Sequence, residues 1–251
     1  MIFTPKRFYK DFPKEKRKKD TIFCLFLLRP LSFVVSSLFS LLHISANATS
    51  IISLAISFGG SVLLFINFFV KDVVLVYWSL ACIFIWAILD CVDGNLARTV
   101  KKQKYGDFFD AIAGYIIPGF YFSLFGFNSC FFNDVVFGNN NPWISIIAST
   151  ASISFITILL FKKKYTENSE QYGKNVSDQK DRNNLVIIVM SRMWSEFSFG
   201  GFLPLILLLS TIFNVMTLAT LIYSCLFFAL FCFGTLFLLF ASISESKRED
   251  K

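Results

Sequence analysis

The chain has 251 residues, of which 55% are hydrophobic, and its mean hydropathy is +0.62. A soluble domain of this length would be far more polar, so the composition excludes that class and indicates a membrane protein with several spans. The formal net charge of +7 does not indicate nucleic-acid binding, because the basic residues border the apolar runs, where anionic lipid headgroups attract them.

The first 46 residues precede the main apolar runs. Residues 1–20 are basic and polar, and we expect a flexible cytoplasmic arm. Residues 21–46 are apolar and could form a seventh span. We favour a helix that lies in the membrane interface, because Pro30 suits a helix start and several serines form a mildly polar stripe.

Six further apolar runs approach the length of a bilayer span. They predict an all-α polytopic membrane domain over residues 47–243, followed by a cytoplasmic tail at 244–251. The fifth run is interrupted by Arg192, Gly200 and Pro204, so a short surface helix followed by a shorter span is the alternative there. The predicted limits are 47–69, 73–95, 106–126, 143–162, 187–213 and 217–242.

The distribution of charge predicts the orientation of these spans. With six spans, all but Lys71 of the 24 Lys and Arg residues fall on one side of the membrane. Positive residues stay in the cytoplasm. We therefore predict a protein of the cytoplasmic (inner) membrane with both termini in the cytoplasm. A seventh span would place the N-terminal basic residues opposite the other basic segments.

Three carboxylates lie where two of the predicted spans meet the cytoplasm. Asp90 and Asp93 end the second span, and Asp110 begins the third. An acid near the membrane core costs roughly 2.5–3.5 kcal/mol, and clustered acids also repel one another. Asp90 and Asp93 share a helix face, and a hairpin would bring Asp110 beside them. Ligands that are all oxygen favour a hard cation, so the sequence predicts a Mg²⁺, Mn²⁺ or Ca²⁺ site.

The residues around these acids suit a phosphate-containing ligand. Gly94 and Ala97 add little bulk, which lets a nucleotide or phosphate approach the backbone. Arg98 carries the planar fork of donors that binds phosphate. Gly106 and Gly114 share a helix face with Asp110.

The run Asp90-x-x-Asp93-Gly94-x-x-Ala97-Arg98, then seven residues, then Gly106-x-x-x-Asp110, resembles the signature of the CDP-alcohol phosphotransferases. Six spans, an N-terminal interfacial helix and a cytoplasmic site are also that family's layout. The resemblance implies that the three aspartates hold Mg²⁺ or Mn²⁺ at the donor's diphosphate. It also implies that the CDP site is lined by Gly94, Ala97, Arg98 and Gly106.

The activity implied by the resemblance is transfer of a substituted phosphoryl group, with release of CMP. The donor would be CDP-diacylglycerol or a CDP-alcohol, and the acceptor a lipid or an alcohol. Such a reaction belongs to phospholipid or lipid-linked surface-glycan synthesis. Family members are often homodimers, so a homodimer is one state open to this chain.

The sequence departs from the family pattern at one position. The pattern ends with a fourth Asp, the proposed base for the acceptor hydroxyl, and Gly114 occupies that place. Three interpretations follow: Asp107 serves a shifted acceptor, the acceptor is already ionised, or the protein is a catalytically impaired CDP-binding scaffold. A cation transporter is a further alternative, although it would need polar groups deep within several spans.

Overall fold

The computed structural model describes residues 4–100, 106–132, 134–138, 141–171, 196 and 198–249. These residues are mostly helical and contain no strand, which confirms the prediction of an all-α polytopic membrane protein. The elements in chain order are α1 (Pro5–Asp11), α2 (Lys14–Lys19), a π-helical turn (Cys24–Leu28), α3 (Arg29–Leu41), α4 (Ala46–Val70), α5 (Val73–Thr99), α6 (Gly106–Ser129), α7 (Trp143–Gln171), α8 (Leu203–Ile212) and α9 (Met216–Glu249).

Five helical stretches of the described chain are long and apolar enough to cross a membrane. At 24 residues, α6 also has the length of a span. Helices α4, α5, α6, α7 and α9 begin within one residue of the predicted starts and end one to nine residues beyond the predicted ends. The five stretches are Cys24–Leu41, Ala46–Val70, Val73–Thr99, Trp143–Phe161 and Met216–Phe240.

The fifth predicted span is less regular than the others. The chain turns at residues 198–202 before the ten residues of α8, and 187–195 lie outside the described part. The turn and the ten-residue α8 show that the described part of this run is not one continuous helix; the surface helix of the alternative lies outside the described part and stays a prediction. Pro204 lies in the first turn of α8, where a missing backbone N–H costs nothing.

Helices α4 and α5 form a hairpin whose turn is only two residues long. The Ser45 side chain caps α4 by accepting from the Ala48 N–H at 3.2 Å. Lys71 ends α4 with a left-handed φ of 59°, and Asp72 then caps α5 by accepting from the Val74 N–H at 2.9 Å. These caps define both ends of α4 and the start of α5, and so place the end of α5 beside the start of α4.

Small residues let the two helices of this hairpin approach closely. A Cβ at Gly60 would lie 2.8 Å from Cys82 Cβ and 3.2 Å from the Ser79 carbonyl oxygen. The Ser79 hydroxyl lies 2.7 Å from the Gly60 carbonyl and 3.0 Å from the Tyr121 hydroxyl of α6. Close packing of small residues and hydrogen bonds between helices are the interactions that hold helices together in lipid.

The remaining long helices pack around this hairpin. Helix α6 lies against α4 and α7, and α9 lies against α7. Gly119 and Gly126 of α6 leave no room for a Cβ, because Ile156 and Ala148 of α7 fill that space. The core between these helices is aromatic, with Tyr121, Phe122, Phe125 and Phe227 buried.

Helix α3 crosses the end of α5 obliquely. Cys24 Sγ lies 3.8 Å from Cys91 Sγ, and Ser32 Oγ accepts from the Asn95 side-chain amide at 3.1 Å. From the first of these contacts to the second, the chain rises about 12 Å along the π-helical turn and α3 but only about 6 Å along α5. Two serines of the stripe, Ser32 and Ser36, therefore face the protein, because their hydroxyls accept from that amide. Whether α3 lies in the membrane interface stays a prediction.

The N-terminal arm contains two short helices, and its flexibility and its cytoplasmic position stay predictions. It folds into α1 and α2, and Phe8 is only 2% exposed. Phe8 packs in a small cluster with Phe33 of α3 and with Leu89 and Val92 of α5. A single buried phenylalanine docks the seven residues of α1. One apolar residue gives no recognisable pattern in a segment with eight basic residues.

Candidate active site

Asp90 and Asp93 lie one turn apart on α5 but in different surroundings. Asp93 is only 6% exposed, and its Oδ2 accepts a hydrogen bond from Ser50 Oγ of α4 at 2.7 Å. Asp90 is exposed. A buried carboxylate needs such a donor, because burial without a partner is costly. The α4–α5 hairpin therefore holds Asp93 in a defined orientation, while Asp90 lies at the exposed surface.

A chain of side-chain hydrogen bonds connects α3 to Arg98. Asn95, 2% exposed, donates from Nδ2 to Ser32 Oγ at 3.1 Å and to Ser36 Oγ at 3.2 Å. Its Oδ1 accepts from Arg98 Nη2 at 3.0 Å. The sequence analysis did not single out Asn95, although it lies inside the motif, one residue after Gly94.

Gly94 has a local structural role. A Cβ at this position would lie 3.2 Å from Nη1 and 3.3 Å from Nη2 of Arg98, so the guanidinium folds back over the glycine. Ala97, the other small residue of the motif, is half-buried and packs against the cluster around Phe8. The small residues thus make room for the arginine as well as for any ligand.

The N-terminal arm reaches this site through Phe12. The Phe12 ring centroid lies 4.5 Å from Arg29 Cζ and 5.6 Å from Arg98 Cζ. Arg29 is also paired with Asp20, with Nε donating to Oδ2 at 2.7 Å and Nη2 to Oδ1 at 3.1 Å. The arm therefore supplies one aromatic ring and one carboxylate beside the two arginines.

A cavity of about 200 Å³ opens beside Asp90. It is bounded by α5, by the π-helical turn and by the turn that precedes α8. That turn is fixed to the N-terminal segment, because Thr21 Oγ1 donates to the Gly200 carbonyl at 3.1 Å and the Ile22 N–H to Glu196 Oε2 at 2.9 Å. A cavity of this volume has room for several water molecules.

The third aspartate lies at the start of α6. The backbone places Gly106, Asp107 and Asp110 in its first turns, but their side chains and the whole of residues 101–105 lie outside the described part. Gly114 is exposed, and no heavy atom of a described neighbour lies within 4 Å of a Cβ built on it. Among the described side chains, no group of three His, Cys, Asp or Glu residues is placed to hold a metal ion.

Comparison with known protein families shows the family of this chain. Residues 43–223, about 70% of the chain, match the family described as CDP-alcohol phosphatidyltransferase. The chain belongs to the CDP-alcohol phosphatidyltransferase family. No curated protein and no solved structure matches the chain.

Membership of the CDP-alcohol phosphatidyltransferase family confirms the resemblance noted in the sequence. It makes the chain a member of a transferase family of phospholipid synthesis, and the apolar helices make it a multi-pass membrane protein. The matched region contains all of the predicted site residues and excludes α1, α2, the π-helical turn and α3. The contribution of Phe12 to the site therefore comes from outside the matched region.

Proposed function

We propose that this chain is a metal-dependent CDP-alcohol phosphotransferase that moves a substituted phosphoryl group from a CDP-linked donor to an acceptor and releases CMP. The observation that carries the proposal is the motif at the end of α5, where Asp93 is buried and oriented by Ser50 and Asp90 is exposed one turn away. An acid held in this way is more consistent with a ligand site than with a solvated helix end.

Asp90, Asp93 and Asp110 would hold the metal ion, Mg²⁺ or Mn²⁺. The residues fit such an ion, because the donors of α5 are carboxylate oxygens, one of them fixed by a hydroxyl. When bound, a hard divalent cation offsets negative charge on the donor's diphosphate. The same chemistry supports placing Asp110 beside the other two acids.

Gly94, Ala97, Arg98 and Gly106 would line the nucleotide site. Arg98 would contact a phosphate of the donor, because its fork of N–H groups matches phosphate oxygens. The acceptor oxygen would attack the phosphorus that carries the substituent. The bond to the bridging oxygen then breaks, and CMP leaves with that oxygen. Catalysis of this kind depends on positioning and electrostatics.

The glycine at position 114 bears on the identity of the acceptor. An alcohol acceptor must lose a proton, and the family's base is missing, so Asp107 would have to serve a shifted acceptor. A phosphorylated acceptor is already ionised, because its second pKa is about 6, and it needs no strong base. The open space around Gly114 supports room for such a bulkier acceptor.

An acceptor screen separates these two possibilities. Purified protein in proteoliposomes with Mg²⁺ or Mn²⁺ is supplied with labelled CDP-diacylglycerol or CDP-alcohols and with matched pairs of alcohols and phosphorylated alcohols. Mass spectrometry identifies the labelled product. We expect faster turnover of the phosphorylated member of a pair, giving a diphosphate. Turnover of plain alcohols only would refute the ionised acceptor and favour Asp107.

The same assay distinguishes the enzyme from its alternatives. CDP binding without turnover of any donor–acceptor pair would indicate an impaired scaffold. Ion flux without nucleotide binding would indicate a transporter. We also propose that the site faces the cytoplasm of the inner membrane, because all basic residues except Lys71 would then lie on that side. The product would enter phospholipid or lipid-linked surface-glycan synthesis.

A further inference from the structure

We infer that Phe12, in the N-terminal arm outside the family region, is a positioning residue that holds Arg98 ready for the donor's phosphate. The inference rests on the proposed function, because that proposal assigns Arg98 to the CDP-linked donor. It extends the active site to a segment in which the sequence showed only basic charge.

The contact between ring and guanidinium is the first observation. Arg98 Cζ lies 5.6 Å from the Phe12 ring centroid, within the distance at which the negative face of a ring attracts a cation. Arg29 lies closer, at 4.5 Å, but the Asp20 carboxylate already compensates its charge. Arg98 forms no ion pair with the described residues and donates to a neutral amide, so its charge is available for an anionic ligand.

The second observation is that the guanidinium is bounded on three sides. Asn95 Oδ1 accepts a hydrogen bond from Nη2 of Arg98. The guanidinium lies over Gly94, which has no side chain, and the Phe12 ring covers a further side. A long side chain loses rotamer freedom when it binds a ligand. If the side chain is already restricted in the free protein, less conformational entropy is lost when the donor binds.

The ring itself is held by a folded element. Helix α1 begins at Pro5, and Phe12 ends it immediately before Pro13, which cannot continue a helix. Phe8 anchors α1 in the apolar cluster, and the Phe12 ring meets the Phe33 ring edge to face at a centroid distance of 6.1 Å. The position of Phe12 over the arginines is thus set by the docking of α1.

The test compares two aromatic residues of the same arm in the full-length protein. Phe12→Leu removes the ring but keeps an apolar side chain of similar size. Phe12→Tyr restores an aromatic face. Tyr9→Leu is the matched control, because the Tyr9 ring lies under Arg17, meets the Phe33 ring edge to face and is 52% exposed. CDP affinity is measured by titration calorimetry in Mg²⁺ buffer, together with KM and kcat for the donor.

We expect Phe12→Leu to weaken CDP binding about three- to tenfold and to raise the donor KM more than it lowers kcat. Phe12→Tyr and Tyr9→Leu should bind CDP like the wild type. In an Arg98→Gln background, Phe12→Leu should have no further effect on CDP affinity, because residues that act through one another are not additive. Thermal unfolding of each variant shows whether it remains folded.

Two outcomes would overturn the inference. Wild-type CDP affinity in Phe12→Leu, or a fully additive effect in the Arg98→Gln background, would overturn it while leaving the proposed function intact. Absence of CDP binding by the wild type would overturn the proposed function and this inference together.

Discussion

Neutral hydrogen-bonding side chains organise the charged residues of this site. Ser50 orients Asp93, and Asn95 orients Arg98 while being held by two serines of α3. These partners are buried and come from three different helices. The geometry of the charged groups therefore depends on the packing of α3, α4 and α5 against one another.

Replacement of Ser50 tests this dependence. Ser50→Ala removes the hydroxyl that donates to Asp93 Oδ2 at 2.7 Å. Loss of a partner that orients a metal ligand typically costs about 10–100-fold in metal affinity or activity, so we expect the Mg²⁺ requirement for CMP release to rise by that order. The measurement is CMP release against Mg²⁺ concentration.

The control for this variant is Ser53→Ala, one turn further along α4. Ser53 is also buried, but its hydroxyl donates to the Ser50 carbonyl rather than to an acid. An equal loss in both variants would mean that Ser50 acts through helix packing alone and that it does not orient a ligand.

At single positions, the sequence indicated the charged residues of the candidate site but not the neutral residues that orient them. Asp93 and Arg98 were recognisable from residue type and spacing. Ser50, Asn95 and Phe12 were not, because serine in a span, asparagine near a helix end and phenylalanine in an arm all have common structural explanations. Their roles depend on contacts between segments 43 to 86 residues apart.

The α4–α5 hairpin depends on close contact at one glycine. Gly60→Ala places a Cβ against Cys82 Cβ and the Ser79 backbone, neither of which is a flexible side-chain end. We expect overpacking to destabilise the protein by about 1–3 kcal/mol, seen as a lower midpoint of thermal unfolding in detergent.

The neighbouring glycine provides the matched control. Gly59 lies on the same helix, but no heavy atom lies within 4 Å of a Cβ built there. Gly59→Ala should therefore leave the midpoint unchanged or raise it slightly, since alanine favours a helix more than glycine does. Equal shifts in the two variants would contradict the close contact between α4 and α5.

Long apolar helices were predictable because hydropathy over about 20 residues is a strong signal. Ser45 and Asp72 cap the starts of α4 and α5 in the structure. Neither the docking of α1 nor the fixing of the turn before α8 was predictable: α1 docks through one buried phenylalanine, and that turn is held by Thr21 and Ile22 from the other end of the chain. Such contacts leave no periodic pattern in the sequence.

For the molecule as a whole, the N-terminal segments, the α4–α5 hairpin and the turn before α8 converge on the end of α5. The cavity beside Asp90 lies where they meet. The sequence predicted a site here because its motif is local and specific. The other walls of the cavity come from distant segments, which no local pattern in the sequence indicates.

The central claim is that Asp93 takes part in metal-dependent transfer from a CDP-linked donor. The most direct measurement is CMP release from labelled donor by the wild type, by Asp93→Asn and by Asp72→Asn, which alters the opposite end of the same helix and keeps a side chain able to cap it. We predict that Asp93→Asn abolishes Mg²⁺-dependent CMP release while remaining folded in the membrane, and that Asp72→Asn retains it. Undiminished CMP release in Asp93→Asn would contradict the account.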